Sequence, residues 1–503
     1  MFKNHPKGLL AAALANMGER FGFYTMMAIL VLFLQTKFGL DGKYAGIIFS
    51  VFYALIYVLA LVGGLIADKT RNYKGTILIG LFVMAGGYLL LSIPTPTPVP
   101  NMTIALIFSC SALFMIAFGN GLFKGNLQAL VGQMYDNERY SKMRDSGFSL
   151  FYMFINVGAM FAPFVAPELR KWWLKSNEFL YDAGLPSLCH QQINGTITAE
   201  GSVKLAELAE KVSGHAVPYE QFSTFAANYL DVFTKGFHYA FGVAIVAMLI
   251  SVVIYMMNKK GFPDPKDKVK AAAGVQGAAM SVQEVRQRIW ALFAVYGVVI
   301  FFWFSFHQNG LTLTFFARDY IDLTVFGLPI AVEHFQFFNP FFVVFFTPVI
   351  MSLYGWLRAK NMEPSTPKKI AIGMGIAAIA FALMAVVSKW SDLPLHSEIV
   401  GRSNVLVTPW LLIGTYFILT VAELFISPLG ISFVSKVAPP HLQGLMQGGW
   451  LAATAIGNQF LFVGAICYEW IPIWATWGLF VVACLISMFT MLAMLKWLEK
   501  VAK

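Results

Sequence analysis

A long apolar run lies near the start of the chain: GLLAAALANMGERFGFYTMMAILVLFL, residues 8–34. A helix needs about 20 residues to cross the hydrocarbon core of a bilayer, and this apolar run is long enough. It nevertheless carries Glu19 and Arg20 near its middle. An ionisable side chain at that depth costs about 2.5–3.5 kcal/mol on insertion scales and is by default a functional group. The stretch therefore predicts a transmembrane helix with a functional polar stripe.

The remainder of the chain has the same apolar character. Of the 503 residues, 58% are apolar and only 12% are charged, whereas soluble chains contain about 25% charged residues. We expect an all-α membrane protein with twelve transmembrane helices. The apolar stretches of suitable length are 8–34, 44–67, 74–93, 102–127, 147–167, 236–257, 288–315, 335–357, 368–388, 409–431, 443–466 and 470–497.

The start of the chain imitates a secretory signal peptide, because Lys3 and Lys7 precede the apolar run Gly8–Ala15. The apolar run continues through residues 21–34, however, and eleven further spans follow. We therefore expect this segment to remain as the first transmembrane helix.

The net charge of +10 would suit a nucleic-acid partner, but the Lys and Arg residues fall in alternate connections between spans. That distribution predicts topology, with both termini on the cytoplasmic side of the cytoplasmic (inner) membrane and no nucleic-acid partner.

Six spans on each side of a basic connection predict two parallel six-helix bundles. We assign residues 1–257 to the first bundle, 258–287 to a cytoplasmic linker and 288–503 to the second bundle. Ser281 and Glu284 form a capping box that would start the seventh span. Residues 168–235 are predicted to be a polar external loop, a lid or spacer with one short amphipathic helix around Lys204–Val212.

The polar residues of the first span share one helix face, which must contact protein or water. They are Asn16, Glu19 and Arg20, followed by Phe23 and Tyr24. A structural Glu–Arg network that ties helices together is the alternative to a functional site.

Two further spans carry single charges. Lys124 shares a face with Gly121, Gly125 and Gln128 in the fourth span, and Glu423 shares one with Thr420, Ser427 and Gly430 in the tenth. A pair between Lys124 and Glu423 across the interface of the halves would offset the desolvation of both groups. That pair could bind a ligand or be purely structural.

The seventh span places Trp303, His307, Gly310 and Thr314 on one helix face, with Gln308 beside it. Histidine changes charge near neutral pH, so His307 could carry protons. A satisfied core histidine is the alternative.

Several motifs resemble those of the proton-dependent oligopeptide transporter family of the major facilitator superfamily. Four lie in the first half, and the others follow in order in the second half. They are Gly18–Tyr24, Gly63–Asp68, Gly119–Asn126, Phe151–Ala159, Phe302-Trp303 with Gln308, Asn339-Pro340, Pro364–Lys368, Glu423 with Ser427–Gly430, and Trp450.

The resemblance implies the major facilitator fold and a proton-coupled symporter that imports di- and tripeptides by alternating access. It implies that the substrate-binding residues are Arg20, Tyr24, Lys124, Asn156, Trp303, Asn339, Glu423 and Trp450. Arg20, Tyr24 and Lys124 match positions that hold the peptide carboxylate, whereas Glu423, Asn156 and Asn339 match those that hold the amino end and the peptide amide. A guanidinium suits a carboxylate, and a carboxylate suits an ammonium group. Phe23, Trp303 and Trp450 would line an adaptable apolar pocket.

Departures from the family pattern concern proton coupling. Asn16 stands where the family has its first acidic residue, Phe23 replaces the first Tyr of a Tyr pair, and His307 stands where relatives often carry an acid. We assign coupling to Glu19, Arg20, His307 and Glu423, with protons as the coupling ion, no cofactor and a monomer as the working unit.

Other functions remain as alternatives. A transporter of this fold could move an anion or a drug-like molecule, and a non-transporting nutrient sensor is a second possibility. An enzyme is not expected, since the sequence contains no metal cluster, nucleophile triad or phosphate loop among the spans. The four cysteines have neither metal-site nor disulfide-framework spacing.

Overall fold

The computed structural model describes residues 5–70, 72–135, 139–140, 144–263, 281–439 and 443–502. Throughout these ranges the architecture is helical, with one small hairpin in which β1 (Thr324–Val325) pairs antiparallel with β2 (Leu328–Pro329). Twelve segments of the described chain are long and apolar enough to cross a membrane. The predicted all-α class and the number of spans are therefore confirmed.

The first half consists of eight described helices, six of which contribute spans. They are α1 (Lys7–Phe38), α2 (Gly42–Thr70), α3 (Tyr73–Ser92), α4 (Met102–Met134), α5 (Arg144–Ser176), α6 (Leu185–Ile193), α7 (Ala199–Ser213) and α8 (Phe222–Asn258).

The second half also contains eight described helices, two of its spans being broken. They are α9 (Val282–Phe306), α10 (Thr312–Tyr320), α11 (Phe338–Ala359), α12 (Thr366–Trp390), α13 (Pro409–Val437), α14 (Gln443–Gln459), α15 (Leu461–Trp470) and α16 (Ile473–Val501).

The connection between the halves is described only at its ends. Helix α9 begins where the capping motif predicts, since the Ser281 side chain accepts a hydrogen bond from the backbone N–H of Glu284 at 3.2 Å. The Glu284 carboxylate instead accepts from Arg288. The central part of the predicted linker, residues 264–280, lies outside the described residues.

The predicted external loop is shorter than expected. Helix α5 continues to Ser176 and α8 begins at Phe222, so the two spans cover both ends of residues 168–235. The predicted amphipathic helix is present as α7, whose Leu205, Ala209 and Val212 are buried. The extramembrane unit of α6 and α7 packs on both halves: His190 contacts the carbonyl oxygen of Thr36, and Lys204 donates to that of Arg402.

The seventh span is interrupted, which corrects the expectation of one continuous helical face. Helix α9 ends at Phe306, a 3₁₀ turn covers His307–Gly310, and α10 resumes at Thr312. Polar side chains stabilise the break, because Gln308 bonds the carbonyl oxygens of Phe304 and Leu461 and also accepts from Thr312. Gln308 is therefore a structural residue, whereas His307 is left beside the central cavity.

Helix packing in the first half depends on close approaches at glycine. A Cβ on Gly63 of α2 would collide with the backbone of Gly121 on α4, so only glycine allows these helices to touch. One turn further along α4, the Lys124 ammonium lies 5.0 Å from the centre of the Tyr57 ring on α2.

The halves are joined on the side that the charge distribution assigns to the exterior. Arg170 of α5 forms an ion pair with Glu333 at 2.7 Å, and both side chains are buried. The Arg318 guanidinium donates to Gln35 at 2.5 Å. These contacts cross from one half to the other at one end of the interface.

Candidate functional site

A cavity of about 330 Å³ lies between the two halves. All eight predicted substrate-binding residues line it, and they come from both halves. They are Arg20, Tyr24, Lys124, Asn156, Trp303, Asn339, Glu423 and Trp450. Side chains more than 400 residues apart in sequence therefore meet around one space.

The first-span stripe forms a compact ionic cluster behind the cavity wall. The Arg20 guanidinium donates two hydrogen bonds to the Glu19 carboxylate, at 2.5 and 2.6 Å. Asn120 of α4 donates a third at 2.8 Å. Glu19 is fully buried and does not line the cavity, whereas Arg20 does.

The guanidinium of Arg20 is also held by aromatic rings of its own helix. Its central carbon lies 4.6 Å from the centre of the Phe23 ring and 5.9 Å from that of Tyr24. Cation–π contacts at these distances stabilise a partly desolvated cation. The residue that replaces the first Tyr of the family pair thus still supports Arg20.

Lys124 reaches the cavity from α4 but does not form the expected pair. Among the described residues no ion pair joins Lys124 to Glu423 or to another carboxylate, and the ammonium rests on the Tyr57 ring instead. The cation is therefore available to a ligand. The expected pair between Lys124 and Glu423 is therefore not formed in the described structure: Lys124 contacts Tyr57, and Glu423 accepts a hydrogen bond from Asn339.

Glu423 is held on the opposite half. Its carboxylate accepts a hydrogen bond from the Asn339 amide at 2.9 Å, and the same amide donates to Thr420 at 3.0 Å. The interaction places an oriented carboxylate on the second half, opposite the basic groups of the first.

His307 sits at the break in the seventh span. Its ring stacks on Trp303 with centroids 4.8 Å apart and packs against Tyr53 of the first half at 4.7 Å. Its Nδ1 bonds Asn458 Oδ1 of α14 at 2.5 Å. The His307 ring therefore contacts both halves at the cavity wall: Tyr53 of the first, and Trp303 and Asn458 of the second.

The other predicted residues shape the wall. Asn16 is buried and lines the cavity, and Asn156 bonds the carbonyl oxygen of Tyr152 at 3.1 Å. The Trp450 indole lies so close to Gly430 that a Cβ there would collide with the ring. The absence of a side chain at Gly430 therefore leaves the space that the Trp450 indole occupies.

Sequence reasoning missed several residues of the site. Asn120 and Asn458 bond the ionisable groups directly, and Tyr53, Tyr57 and Tyr152 line the cavity. Asn120 lies inside the Gly119–Asn126 motif, four residues before Lys124, but the sequence pattern does not show that it bonds Glu19. No sequence signal linked Asn458 to His307, since they are 151 residues apart.

Metal chemistry has no candidate in the described ranges, where no group of three or more His, Cys, Asp or Glu side chains could hold a metal ion. The ionisable groups of the cavity therefore interact with amides, aromatic rings and each other.

Comparison with known proteins places the chain among transporters. It is 27% identical to the peptide transporter YePEPT of Yersinia enterocolitica over 479 residues, covering 91% of this chain and 87% of the relative. It is 26% identical to dipeptide and tripeptide permease B of Xenorhabdus bovienii over 526 residues, covering 99% and 97%.

Solved structures show the same fold. A peptide transporter POT crystallised with sulfate has a TM-score of 0.72 at 24% identity, covering 100% of this chain and 96% of that one. A POT family transporter crystallised with 5-aminolevulinic acid has a TM-score of 0.73 at 21% identity, covering 100% and 98%. A third, described as tetrameric PepTSo2, has a TM-score of 0.64 at 22% identity, covering 98% and 99%.

The family model agrees with the motifs, the twelve spans and the cavity between the halves. The PTR2 model, described as the POT family, matches residues 74–280 and 267–473. These two matches together extend over most of the chain, so this protein belongs to the POT family.

Proposed function

We propose that the chain is a proton-coupled symporter that imports di- and tripeptides by alternating access. One observation carries the proposal: the cavity has cations on one half, Arg20 and Lys124, and a carboxylate on the other, Glu423. A zwitterion with separated charges matches that arrangement. The names of the relatives, which include a peptide transporter and a dipeptide and tripeptide permease, support the same substrate class.

The substrate would lie between the halves. Its carboxylate would meet Arg20 and Lys124 beside Tyr24, because a guanidinium and a free ammonium both favour carboxylates. Its amino group would meet Glu423, and Asn339 and Asn156 would bond the peptide amide. Trp303 and Trp450 would contact side chains. The cavity volume of about 330 Å³ falls within the range of small-molecule sites.

Proton coupling in this proposal uses Glu19, Arg20, His307 and Glu423. Arg20 stabilises the Glu19 carboxylate through two hydrogen bonds. When a peptide carboxylate draws Arg20 away, Glu19 loses that stabilisation and takes up a proton. Peptide binding and protonation would then be linked, with protons as the coupling ion and without a cofactor.

In alternating access, the two halves would move relative to each other around the substrate. The external contacts Arg170 with Glu333 and Arg318 with Gln35 would separate when the cavity opens outward, and rocking of the two halves would expose it to the other side. A membrane potential of 100 mV contributes about 2.3 kcal/mol per inward charge, which would accumulate a neutral dipeptide that moves with one proton.

We place the protein in the cytoplasmic (inner) membrane with both termini cytoplasmic, on the basis of the distribution of Lys and Arg. One chain would be the working unit, because a single chain supplies every wall of the cavity. A lipid bilayer and small peptides would be its partners, without nucleic acid.

Uptake into proteoliposomes tests the function. Labelled dialanine should accumulate when the outside is acidic, and unlabelled dipeptides and tripeptides should compete. Competition by nitrate or a drug-like molecule instead would favour the alternative substrate classes. Binding without uptake of any of these solutes would indicate a sensor.

A further inference from the structure

The environment of His307 contains a partner that the proposed mechanism does not use. Asn458 is fully buried on α14, and its side-chain oxygen lies 2.5 Å from His307 Nδ1. A carboxamide oxygen can only accept a hydrogen bond. With Oδ1 facing the ring, a neutral imidazole forms this bond only when Nδ1 carries the hydrogen and donates it to Asn458 Oδ1.

This bond decides which ring nitrogen can react. A neutral imidazole has one N–H and one lone pair, so a hydrogen on Nδ1 leaves the lone pair on Nε2. The hydrogen bonds of the described residues join His307 to protein only through Nδ1, and the ring lines the cavity. The free lone pair of His307 is thus available to a proton or ligand in the cavity.

The ring has little freedom to change this arrangement. Trp303 stacks on one side, with 21° between the planes, and Tyr53 packs at 49°. Besides Tyr53, the cavity that the imidazole lines is also lined by Tyr57, Lys124, Arg20 and Glu423. A protonated imidazole and the Lys124 ammonium would be two cations in one cavity and would repel each other.

We propose that Asn458 is a positioning residue that holds His307 in the Nδ1–H tautomer, so that Nε2 takes up and releases the transported proton, which it shares with Glu19. The inference rests on the proposed symport. A proton from cavity water would bind the Nε2 lone pair while the Nδ1–H···Oδ1 bond persists, and the same proton would leave from Nε2. A peptide carboxylate beside Lys124 would offset the repulsion, which links proton to peptide.

The central test replaces the amide by a carboxylate of the same shape. In Asn458→Asp the Nδ1–H would face a negative charge, which favours the imidazolium. The pH of half-maximal gradient-driven dialanine uptake should rise by about one unit or more, because an adjacent opposite charge shifts titration by about 1–3 units. Peptide-for-peptide exchange should persist, showing that the site is intact.

A double variant separates positioning from a structural role. Asn458→Asp combined with His307→Gln should show no gradient-driven uptake at any pH but should retain peptide exchange, because the titrating ring is gone. Gradient-driven uptake that persists in the double variant, or no pH shift in Asn458→Asp with normal exchange, would overturn the inference. If the unchanged protein shows no dialanine uptake at all, the proposed function fails instead.

A measurement that does not depend on transport tests the tautomer of His307 even if the protein shows no dialanine uptake. In protein labelled with ¹⁵N-histidine, the His307 signals are assigned by their loss in His307→Gln. These ¹⁵N signals should show the hydrogen on Nδ1 at neutral pH. In Asn458→Leu, part of the His307 population should carry it on Nε2 instead. A hydrogen found on Nε2 in the unchanged protein would refute the positioning role whatever the substrate is.

Discussion

The substitution Glu423→Gln tests the proposed recognition of the peptide amino group. It keeps the shape and the hydrogen bond from Asn339, which donates to the carboxylate at 2.9 Å, but removes the charge. A hydrogen bond to a charged group contributes about 1.5–3 kcal/mol. Its loss corresponds to about a 10- to 150-fold weaker peptide affinity.

The structure also predicts that this variant stays folded. Glu423 has no ion-pair partner among the described residues, so its neutralisation leaves no cation unpaired, and the amide oxygen of Gln still accepts from Asn339. We expect a melting temperature in detergent within a few degrees of that of the unchanged protein.

The assay is competition binding and dialanine uptake in proteoliposomes, with Glu207→Gln as the matched control. Glu207 is an exposed carboxylate on α7, remote from the cavity lining, so its neutralisation should leave affinity unchanged. A normal peptide affinity in Glu423→Gln would remove Glu423 from the binding site and refute the zwitterion argument.

Four further predictions follow from the same geometry. Glu19→Gln should abolish gradient-driven accumulation but retain peptide exchange, because exchange needs no net proton movement; accumulation by this variant would show that Glu19 is dispensable for coupling. Dipeptides blocked at both termini should compete poorly with dialanine, and equal competition would exclude a charge clamp. Glu333→Gln removes the carboxylate that pairs with Arg170 at 2.7 Å, and an unpaired buried charge costs about 3–5 kcal/mol. Spin labels on the predicted external ends of the two halves should then report longer distances. An unchanged distance distribution would show that this ion pair does not hold the halves together. Burial lowers the pKa of His190 below its ordinary value of 6.5, so the folded protein favours the neutral ring. The contribution of His190 to the free energy of unfolding is therefore present in full above pH 6.5 and declines as the pH falls toward the lowered pKa. The melting temperature should decline less over that window in His190→Gln, and parallel curves would contradict the assignment.

Span-level features were predictable because bilayer thickness imposes a length and an apolar character on each helix. The number of spans and the helical class follow from that constraint alone. Helix ends were less predictable, as the continuation of α5 to Ser176 shows. Extramembrane helical turns carry polar residues, so composition does not mark where such a helix stops.

Hydropathy alone identified the ionisable side chains that are costly to bury in a membrane span. Glu19, Arg20, Lys124 and Glu423 were identifiable because each places a charge in an apolar span. Periodicity also determined that the first two share a helix face.

The hydrogen-bond and ion-pair partners of these groups are visible only in the tertiary structure. It separated Lys124 from Glu423, broke the seventh span at His307 and brought Asn458 to that ring across 151 residues. Hydrogen bonds and ion pairs act over a few ångströms, so they depend on how helices from distant parts of the chain pack. Hydropathy and periodicity describe one helix at a time and contain no information about that packing.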